Sequence, residues 1–188
     1  MTKNYKKKLI EVAIPLEAIN KAAEYEKLPG IGPHPRGIHL WWARRPQGTC
    51  RAILFAQLVD DPSSHPERFP TTEEQDQERQ RLLNITSRLA DWKNSNNSDL
   101  LQLAEKEIRA SCNIDDIEIV DPFSGGGSIP TEAQRLGLNT RGSDLNPVAV
   151  AIGKAMFGFP NRFRNHPAVH PGLRVRHLRK DYKDYQMI

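Results

Sequence analysis

The sequence predicts an α/β protein in which an N-terminal helical region precedes the first, incomplete part of a Rossmann-like parallel sheet. Apolar residues recur at helical spacing between residues 8 and 28 and again between residues 47 and 59. Residues 114–157 follow a different order of strand, glycine loop, helix, strand, loop and helix. That order is typical of a doubly wound sheet.

The composition is that of a soluble globular chain without a membrane span. Of the 188 residues, 38% are hydrophobic and 27% are charged, and no apolar run approaches the roughly 18 residues that cross a bilayer. Cys50 and Cys112 stand alone, which favours reduced thiols in the cytoplasm over a disulfide framework. The formal net charge of +4 is compatible with nucleic-acid contact and does not prove it.

The first domain, residues 1–60, is predicted to contain two helices. Pro15 is expected to kink or delay the first helix. Glycine and proline residues at positions 29–35 predict a loop. The segment His39–Pro46, which reads HLWWARRP, then leads into an apolar helix over residues 47–59.

Residues 61–113 are predicted to form a helical insertion. Thr71 and Glu74 have the spacing of a capping box, which opens a charged helix that runs to about Lys93. A further helix runs from about Asp99 to Ser111. Most charges in this region are spaced to pair along a helix, which favours a solvated scaffold.

Residues 114–160 are predicted to form the sheet unit, and residues 161–188 a basic C-terminal tail. Gly137 stands where a glycine ends the first helix of this unit. Residues 151–188, which include this tail, carry eight basic and two acidic residues, which favours a solvated segment. The predicted strand, glycine loop, helix, second strand and second helix are Ile117–Val120, Asp121–Ser128, Ile129–Leu136, Asn139–Ser143 and the residues from Asn146 to about Phe157.

The glycine loop and Asp144 together indicate a nucleoside site. Ligands of such sheets bind outside the carboxyl ends of the strands, where glycine lets the backbone approach without a clashing Cβ. Asp144 ends the second strand, 19 residues after Gly125, where an acid can accept hydrogen bonds from both ribose hydroxyls. The alternative is a structural strand-to-helix turn in which Asp144 is an ordinary helix cap.

The residues after the loop narrow the choice of nucleoside. Pro130 stands where a dinucleotide fingerprint has its last glycine, which argues against NAD or FAD. No Gly-Lys-Ser/Thr follows, so the loop is not a P-loop. S-adenosylmethionine has a ribose and a carboxylate but no phosphate, and therefore needs less of an anion cradle.

Two motifs of this unit resemble the cofactor motifs of amino-methylating DNA methyltransferases: DPFSGGGS at residues 121–128 and GSDLNP at residues 142–147. KLIEVAIPLEAIN at residues 8–20 and HLWWARRP resemble the N-terminal domain, of unknown function, of prokaryotic adenine-specific DNA methylases that carry a zinc-ribbon module, often in restriction-modification or phage-defence loci. The resemblance spans most of residues 8–171. It implies a Rossmann-like methyltransferase fold with S-adenosylmethionine as cofactor and DNA as partner.

The resemblance also assigns roles to residues. HLWWARRP would occupy the place of the motif that closes over the methionine end of the cofactor. Asp144 would hold the ribose, and Asn146, in the same motif, would also bind the cofactor. The residues that would line the cofactor are Asp121, Phe123, Ser124, Gly125 and Gly127.

Two family features are missing from these residues. The 14 prolines include no Pro-Pro pair, whereas amino-methylating enzymes hold the target amine with a Pro-Pro-aromatic motif. The zinc ribbon is absent too, and His166, His170 and His177 lack the nearby cysteines that a zinc site normally adds. We therefore expect no catalytic residue and no metal site in this chain, which would be inactive alone.

The HLWWARRP segment leaves alternatives open. Adjacent residues are expected to point in different directions, so one of Trp41 and Trp42 at most would stack on cofactor or base, and the other would be core. Trp42, Arg44 and Arg45 are the candidate contacts to DNA or cofactor, with intramolecular ion pairs as the alternative for the two arginines.

The function expected from these observations is the cofactor-binding part of an S-adenosylmethionine-dependent DNA amino-methyltransferase, with adenine N6 as the target. A second polypeptide would then carry the catalytic motif. The alternatives are a DNA-binding or accessory subunit that completes a methyltransferase in trans, and a different nucleotide-binding protein.

Overall fold

The computed structural model describes residues 5–32, 34–163 and 165–166, a mixed α/β structure that is mostly helical. The α-helices are Leu9–Val12 (α1), Leu16–Lys27 (α2), Gln47–Leu58 (α3), Thr72–Ala90 (α4), Ser98–Ser111 (α5), Ser128–Arg135 (α6), Pro147–Gly153 (α7) and Phe159–Phe163 (α8). The strands are Glu118–Asp121 (β1) and Asn139–Gly142 (β2). A π-helical turn, Lys154–Gly158, joins α7 to α8.

The predicted first helix is divided in two, with a break before Pro15. Pro15 lacks the N–H that would continue the helical hydrogen bonds, and it restricts the residue before it to extended backbone. The chain is already extended at Ala13, and α2 begins at Leu16, directly after the proline. The helix over residues 47–59 is confirmed with an end at Leu58.

The capping box of α4 is confirmed. Thr71 Oγ1 accepts from the Glu74 N–H at 3.2 Å, and Glu74 Oε2 accepts from the Thr71 N–H at 3.1 Å. The helix ends at Ala90 rather than Lys93, because Asp91 turns the chain and caps a short 3₁₀ turn over Trp92–Asn94.

The α4–α5 pair is more than a solvated scaffold. Its outer charges pair along the helices as predicted, for example Arg109 with Glu105 at 2.8 Å. Its inner side chains belong to the main core. That core contains, among others, Leu9, Phe55, Leu82, Ile85, Leu89, Leu100, Ala104, Ile108, Ala133, Leu136 and Leu138.

The same core continues into the sheet unit. Ala133 of α6 and Leu136, which caps the end of that helix, are fully buried, and Leu138 before β2 is nearly so. These residues pack in one cluster with apolar residues of α3, α4 and α5. The predicted domain boundaries themselves remain a prediction, but the main core crosses the boundary at residue 113.

The two strands are parallel, in a register that pairs Glu118 with Asn139 and Asp121 with Gly142. Each lies one residue away from its predicted bounds or less. Two backbone hydrogen bonds extend the pairing past the strands: Ser143 N–H to Asp121 O and Ser124 N–H to Ser143 O, both at 2.9 Å. In the described part of the chain this is a two-stranded sheet.

The predicted basic tail falls almost entirely outside the described residues, as do His170 and His177. Within the described ranges, no cluster of three or more potential metal-ligating side chains is found. None of the helices in those ranges combines the length and the apolar character needed to cross a membrane.

Candidate functional site

The glycine loop connects β1 to α6 through two residues of positive φ. Gly125 has φ of 48° and Gly127 has φ of 74°, a backbone region that costs other residues free energy. Gly127 is also the N-cap of α6, and its N–H closes a tight turn on Ser124 O at 2.7 Å. The glycines are therefore required by the turn itself.

Asp144 joins the two loops that follow β1 and β2. Its Oδ2 accepts from the Gly125 N–H at 2.8 Å, and its Oδ1 accepts from the Asn146 N–H at 2.9 Å. Hydrogen bonds from Asn146 and then Gly125 lower the pKa of Asp144, so the carboxylate is ionised at neutral pH. Asp144 thus acts as a local cap and also binds the glycine loop.

The other predicted cofactor residues divide into buried and exposed groups. Asp121 is buried, and its Oδ1 accepts from the Phe123 N–H at 3.1 Å, which shapes the start of the loop. Ser124 is buried as well, whereas the Phe123 ring is 78% exposed. Asn146 uses its side chain to cap α7, with Oδ1 accepting from the Val148 N–H at 2.9 Å.

The HLWWARRP segment lies directly against the glycine loop. A Cβ at Gly125 would be 2.8 Å from Trp41 Nε1, and a Cβ at Gly126 would be 3.0 Å from the Arg44 guanidinium carbon. Arg44 Nη1 donates to Gly126 O at 2.8 Å, and Ser128 Oγ donates to Arg45 O at 2.8 Å. The structure therefore brings the two sequence-predicted segments together, about 80 residues apart in the chain.

The expectation that Trp41 and Trp42 point in different directions was wrong. Their rings stack with centroids 4.5 Å apart and planes 16° apart. The chain turns at this point, with the Arg44 N–H donating to Trp41 O at 3.3 Å, so the alternation of an extended strand does not apply. Trp41 is half-buried and Trp42 is 81% exposed.

Arg44 and Arg45 have different environments. Arg44 donates from Nη1 to Gly126 O and from Nη2 to His39 O at 3.3 Å. Burial lowers the pKa of Arg44, and in the described residues its buried Nε has no hydrogen-bond partner. The Arg44 side chain therefore has partners within the chain, although these are backbone carbonyls rather than the acid of an ion pair. The Arg45 side chain is exposed.

Sequence reasoning missed the role of Phe157. Its ring contacts the positions where a Cβ would lie at Gly127, Gly142 and Gly153, at 3.3, 3.1 and 2.9 Å. One aromatic ring thus packs against the glycine loop, the end of β2 and the end of α7. The sequence signal for this contact is three glycines in three different elements, each of which leaves room for the ring.

A buried carboxylate fixes the helix that follows HLWWARRP. Glu26 accepts from the N–H groups of Gln47 and Gly48, at 2.7 and 3.0 Å, at the first turn of α3. His34 Nδ1 accepts from the Arg36 N–H, so its Nε2 is the atom that donates to Glu26, at 3.0 Å. Burial raises the pKa of Glu26, but these hydrogen bonds outweigh it and leave the pKa below its ordinary value.

A fully buried ion pair connects α3 to α6. Arg51 Nη1 lies 3.1 Å from Glu132 Oε2, and neither side chain is exposed. Arg51 also donates to Leu89 O at 2.8 Å and to Asp91 O at 3.2 Å, at the end of α4. The helix that carries the glycine loop at its N-terminus is therefore held by charge as well as by apolar packing.

The comparisons with known proteins concern the first half of the chain. Residues 13–85 match a family model described as a protein of unknown function, DUF1156. This range contains HLWWARRP, Glu26 and Arg51 and ends before the glycine loop. No curated protein and no solved structure matches the chain.

Proposed function

We propose that this chain is the cofactor-binding part of an S-adenosylmethionine-dependent DNA amino-methyltransferase, with adenine N6 as the target. On this proposal, the two strands and α6 are the first part of a Rossmann-like α/β unit. The observation that carries it is the contact of Asp144 with the Gly125 N–H. It places an ionised carboxylate beside a left-handed glycine loop at the carboxyl ends of two parallel strands, where ligands of such sheets bind.

The chemistry of this site fits S-adenosylmethionine better than a nucleotide. The two Asp144 oxygens offer about four acceptor sites, and backbone N–H groups such as those of Gly125 and Asn146 do not use them all, so the carboxylate can still accept from a ribose hydroxyl. The first N–H groups of α6, at Ser128 and Ile129, have no acceptor within the helix and suit a carboxylate. S-adenosylmethionine would supply an activated methyl group, while these residues bind and orient it.

The resemblance of HLWWARRP and its contact with the glycine loop support a role for the N-terminal region in the same site. Trp41 and Arg44 cover one side of the loop, next to the residues that would bind the cofactor. A segment in that position would exclude water from one end of a bound ligand. DNA is proposed as the substrate from the resemblance of the motifs, and the net charge of +4 is compatible with it.

Calorimetric titration with S-adenosylhomocysteine tests the proposal. We expect binding to the wild-type chain and weaker binding to Asp144→Ala, with unchanged circular dichroism. NAD⁺ and ATP serve as competing nucleotides in the same experiment. Tighter binding of either one, or no difference between wild type and Asp144→Ala, contradicts the proposal.

Methyl transfer is the second test, because these residues contain no Pro-Pro pair. We expect the purified chain to transfer no labelled methyl group to unmethylated DNA. Addition of a second polypeptide that carries a Pro-Pro-aromatic motif and completes the sheet is expected to restore transfer. Turnover by the chain alone would show that the chemistry resides in residues not identified from the motif.

A further inference from the structure

Trp41 and Trp42 form a stacked pair, called here the tryptophan pair, of which the proposed function uses Trp41 and leaves Trp42 without a role. One face of the Trp42 ring lies on Trp41, with the centroids 4.5 Å apart. The residue is nevertheless 81% exposed. The face of the Trp42 ring that is turned away from Trp41 is therefore open to a further aromatic ring.

The tryptophan pair is fixed in place before any ligand arrives. Trp41 is wedged against Gly125, where a Cβ would lie 2.8 Å from its Nε1. The turn that carries both rings is tied to the glycine loop by Arg44, which donates to Gly126 O. A ring that is already ordered loses little conformational entropy on binding, so stacking on Trp42 is favoured over stacking on a mobile side chain.

The chain segment that carries the pair is positively charged. The segment Pro35–Pro46 contains three arginines and no acidic residue. Arg36 donates to backbone carbonyls at the end of α2, and Arg44 donates to Gly126 O and His39 O. Arg45 is exposed, and in the described residues its side chain has no ion pair. It is therefore the cation of this segment that remains for an outside anion.

We propose that Trp42 stacks on an unpaired base of a nucleic-acid strand, with Arg45 contacting the phosphate beside it. The inference rests on the proposed function for its reaction and adds the form of the substrate, a strand with a base outside the duplex. An exposed aromatic ring beside a cation is the combination that binds single strands without regard to sequence. The cofactor's own base would lie next to its ribose acid, Asp144, where Leu145 is an exposed apolar side chain.

The test is fluorescence anisotropy of a labelled single-stranded oligonucleotide with the full chain. Trp42→Ala should weaken binding roughly 5- to 100-fold, the loss expected for one base–aromatic stack. Trp42→Phe should retain most of the affinity, and Arg45→Ala should reduce the dependence of binding on salt. Leu40→Ala is the matched control, because Leu40 is 78% exposed on the same segment and is expected to change nothing.

A second pair of probes addresses the unpaired base. A duplex with one mismatched pair should bind more tightly than the fully paired duplex, and Trp42→Ala should remove that difference. Equal affinity for wild type and Trp42→Ala overturns the inference, as does a wild-type chain that binds no oligonucleotide.

Calorimetry with S-adenosylhomocysteine on the same variants separates this inference from the proposed function. Trp42→Ala should leave cofactor affinity within about twofold of the wild type. Loss of cofactor binding with unchanged oligonucleotide binding would assign the ring to the cofactor's adenine and overturn the inference. Oligonucleotide binding that depends on Trp42 in a chain without cofactor affinity would support the inference and refute the proposed function.

Discussion

Single residues at the glycine loop have structural work of their own in addition to any contact with a ligand. Asp144 ties Gly125 to Asn146, and Asp121 shapes the start of the loop through Phe123. The positions where a Cβ would lie at Gly125, Gly126 and Gly127 are approached by Trp41, Arg44 and Phe157. A substitution at these positions can therefore abolish function by destabilising the loop, so each functional assay should be accompanied by a measurement of stability.

Asp144→Asn should weaken S-adenosylhomocysteine binding roughly 10- to 100-fold, because hydrogen bonds to a charged acceptor contribute about 1.5–3 kcal/mol. Asparagine keeps the size of the side chain but only one carbonyl acceptor, so one of the N–H groups of Gly125 and Asn146 loses its partner, and circular dichroism must show that the variant is folded. Asp115→Asn, an exposed acid in the turn before β1, is the control. Affinity equal to that of the control in a folded Asp144→Asn protein would remove Asp144 from the ligand site.

Gly125→Ala should lower the free energy of unfolding by more than about 1 kcal/mol, the cost of positive φ alone for a residue with a Cβ. The added methyl group would also meet Trp41 Nε1 at 2.8 Å. Gly30→Ala is the matched control, since Gly30 has φ of 79° and no atom within 4 Å of its Cβ position. Urea denaturation that gives equal losses for both variants would show that the contact with Trp41 is unimportant.

Glu26→Gln should reduce the acid sensitivity of the fold. In the folded state the pKa of Glu26 lies below its ordinary value of 4.5. The ionised side chain therefore contributes its full stabilising effect at pH values above 4.5. The effect is lost as the pH falls through the lower, folded-state pKa. At pH 7 we expect Glu26→Gln to cost about 1–3 kcal/mol, because one buried N–H of α3 loses its charged acceptor.

Denaturant midpoints between pH 7 and pH 3 check this expectation, with Glu74→Gln in the exposed capping box as control. The difference between wild type and Glu26→Gln should narrow as the pH falls. A constant difference across that range would mean that the charge of Glu26 does not contribute.

At the scale of elements, α3 is the helix to which the other parts attach. Glu26 fixes its first turn, and Arg51 in its second turn joins Glu132 of α6 and two carbonyls at the end of α4. Gly48 lies so close to Ala90 O that even a methyl group would not fit. Contacts of this kind set the angle at which α6 and its glycine loop meet the N-terminal helices.

Glu132→Gln should destabilise the protein by about 3 kcal/mol, because it leaves the fully buried Arg51 without an opposite charge. Burial raises the pKa of Glu132, and the Arg51 charge opposes that rise. Glu105→Gln, which breaks the exposed pair with Arg109, is the control and should cost less than about 0.5 kcal/mol. The double variant Arg51→Met with Glu132→Met should lose less free energy of unfolding than the sum of the losses measured for Arg51→Met alone and Glu132→Met alone. Additive losses would show that the pair is not coupled.

Local features were the part of this fold that the sequence predicted well. The capping box at Thr71 and the left-handed Gly137 after α6 each depend on residues close in the chain, and both are confirmed. The order of strand, loop, helix and strand over residues 117–143 is confirmed for the same reason. The break before Pro15 followed from the chemistry of proline.

Contacts between distant residues were not predictable from these patterns. The Arg51–Glu132 pair joins residues 81 positions apart in the chain, and no periodic pattern in the sequence predicts it. The stacking of Trp41 on Trp42 depends on a turn in HLWWARRP. This segment contains no glycine that would have predicted the turn. The contact of that segment with the glycine loop was expected from the resemblance rather than from the residues, and its basis is tertiary packing.

At the scale of the whole molecule, one apolar core serves both the N-terminal helices and the sheet unit. The sheet itself is small in the described residues, where β1 pairs with β2 along one edge. Val120 in β1 is 57% exposed. Unpaired strand edges with apolar side chains favour association between chains.

Val120→Lys should therefore reduce association of the chain with itself, because a charge on an edge strand opposes pairing. Sedimentation velocity at increasing concentration should show association of the wild type and a monomer for the variant. Val12→Lys, at an exposed position of α1, is the control. A wild-type monomer at every concentration, with slow hydrogen exchange along Glu118–Asp121, would show that this edge is already protected.

The continuity of the core also limits how such a protein can be recombined. A crossover at residue 113 would separate Leu100 and Ile108 from Ala133 and Leu136, which lie in the same cluster. A chimera that takes its helical region from one parent and its glycine-loop unit from another would then bring together apolar surfaces of different shape, at a cost of several kcal/mol. The two halves are expected to be inherited as one piece, and natural variation at the joint should consist of matched pairs of substitutions.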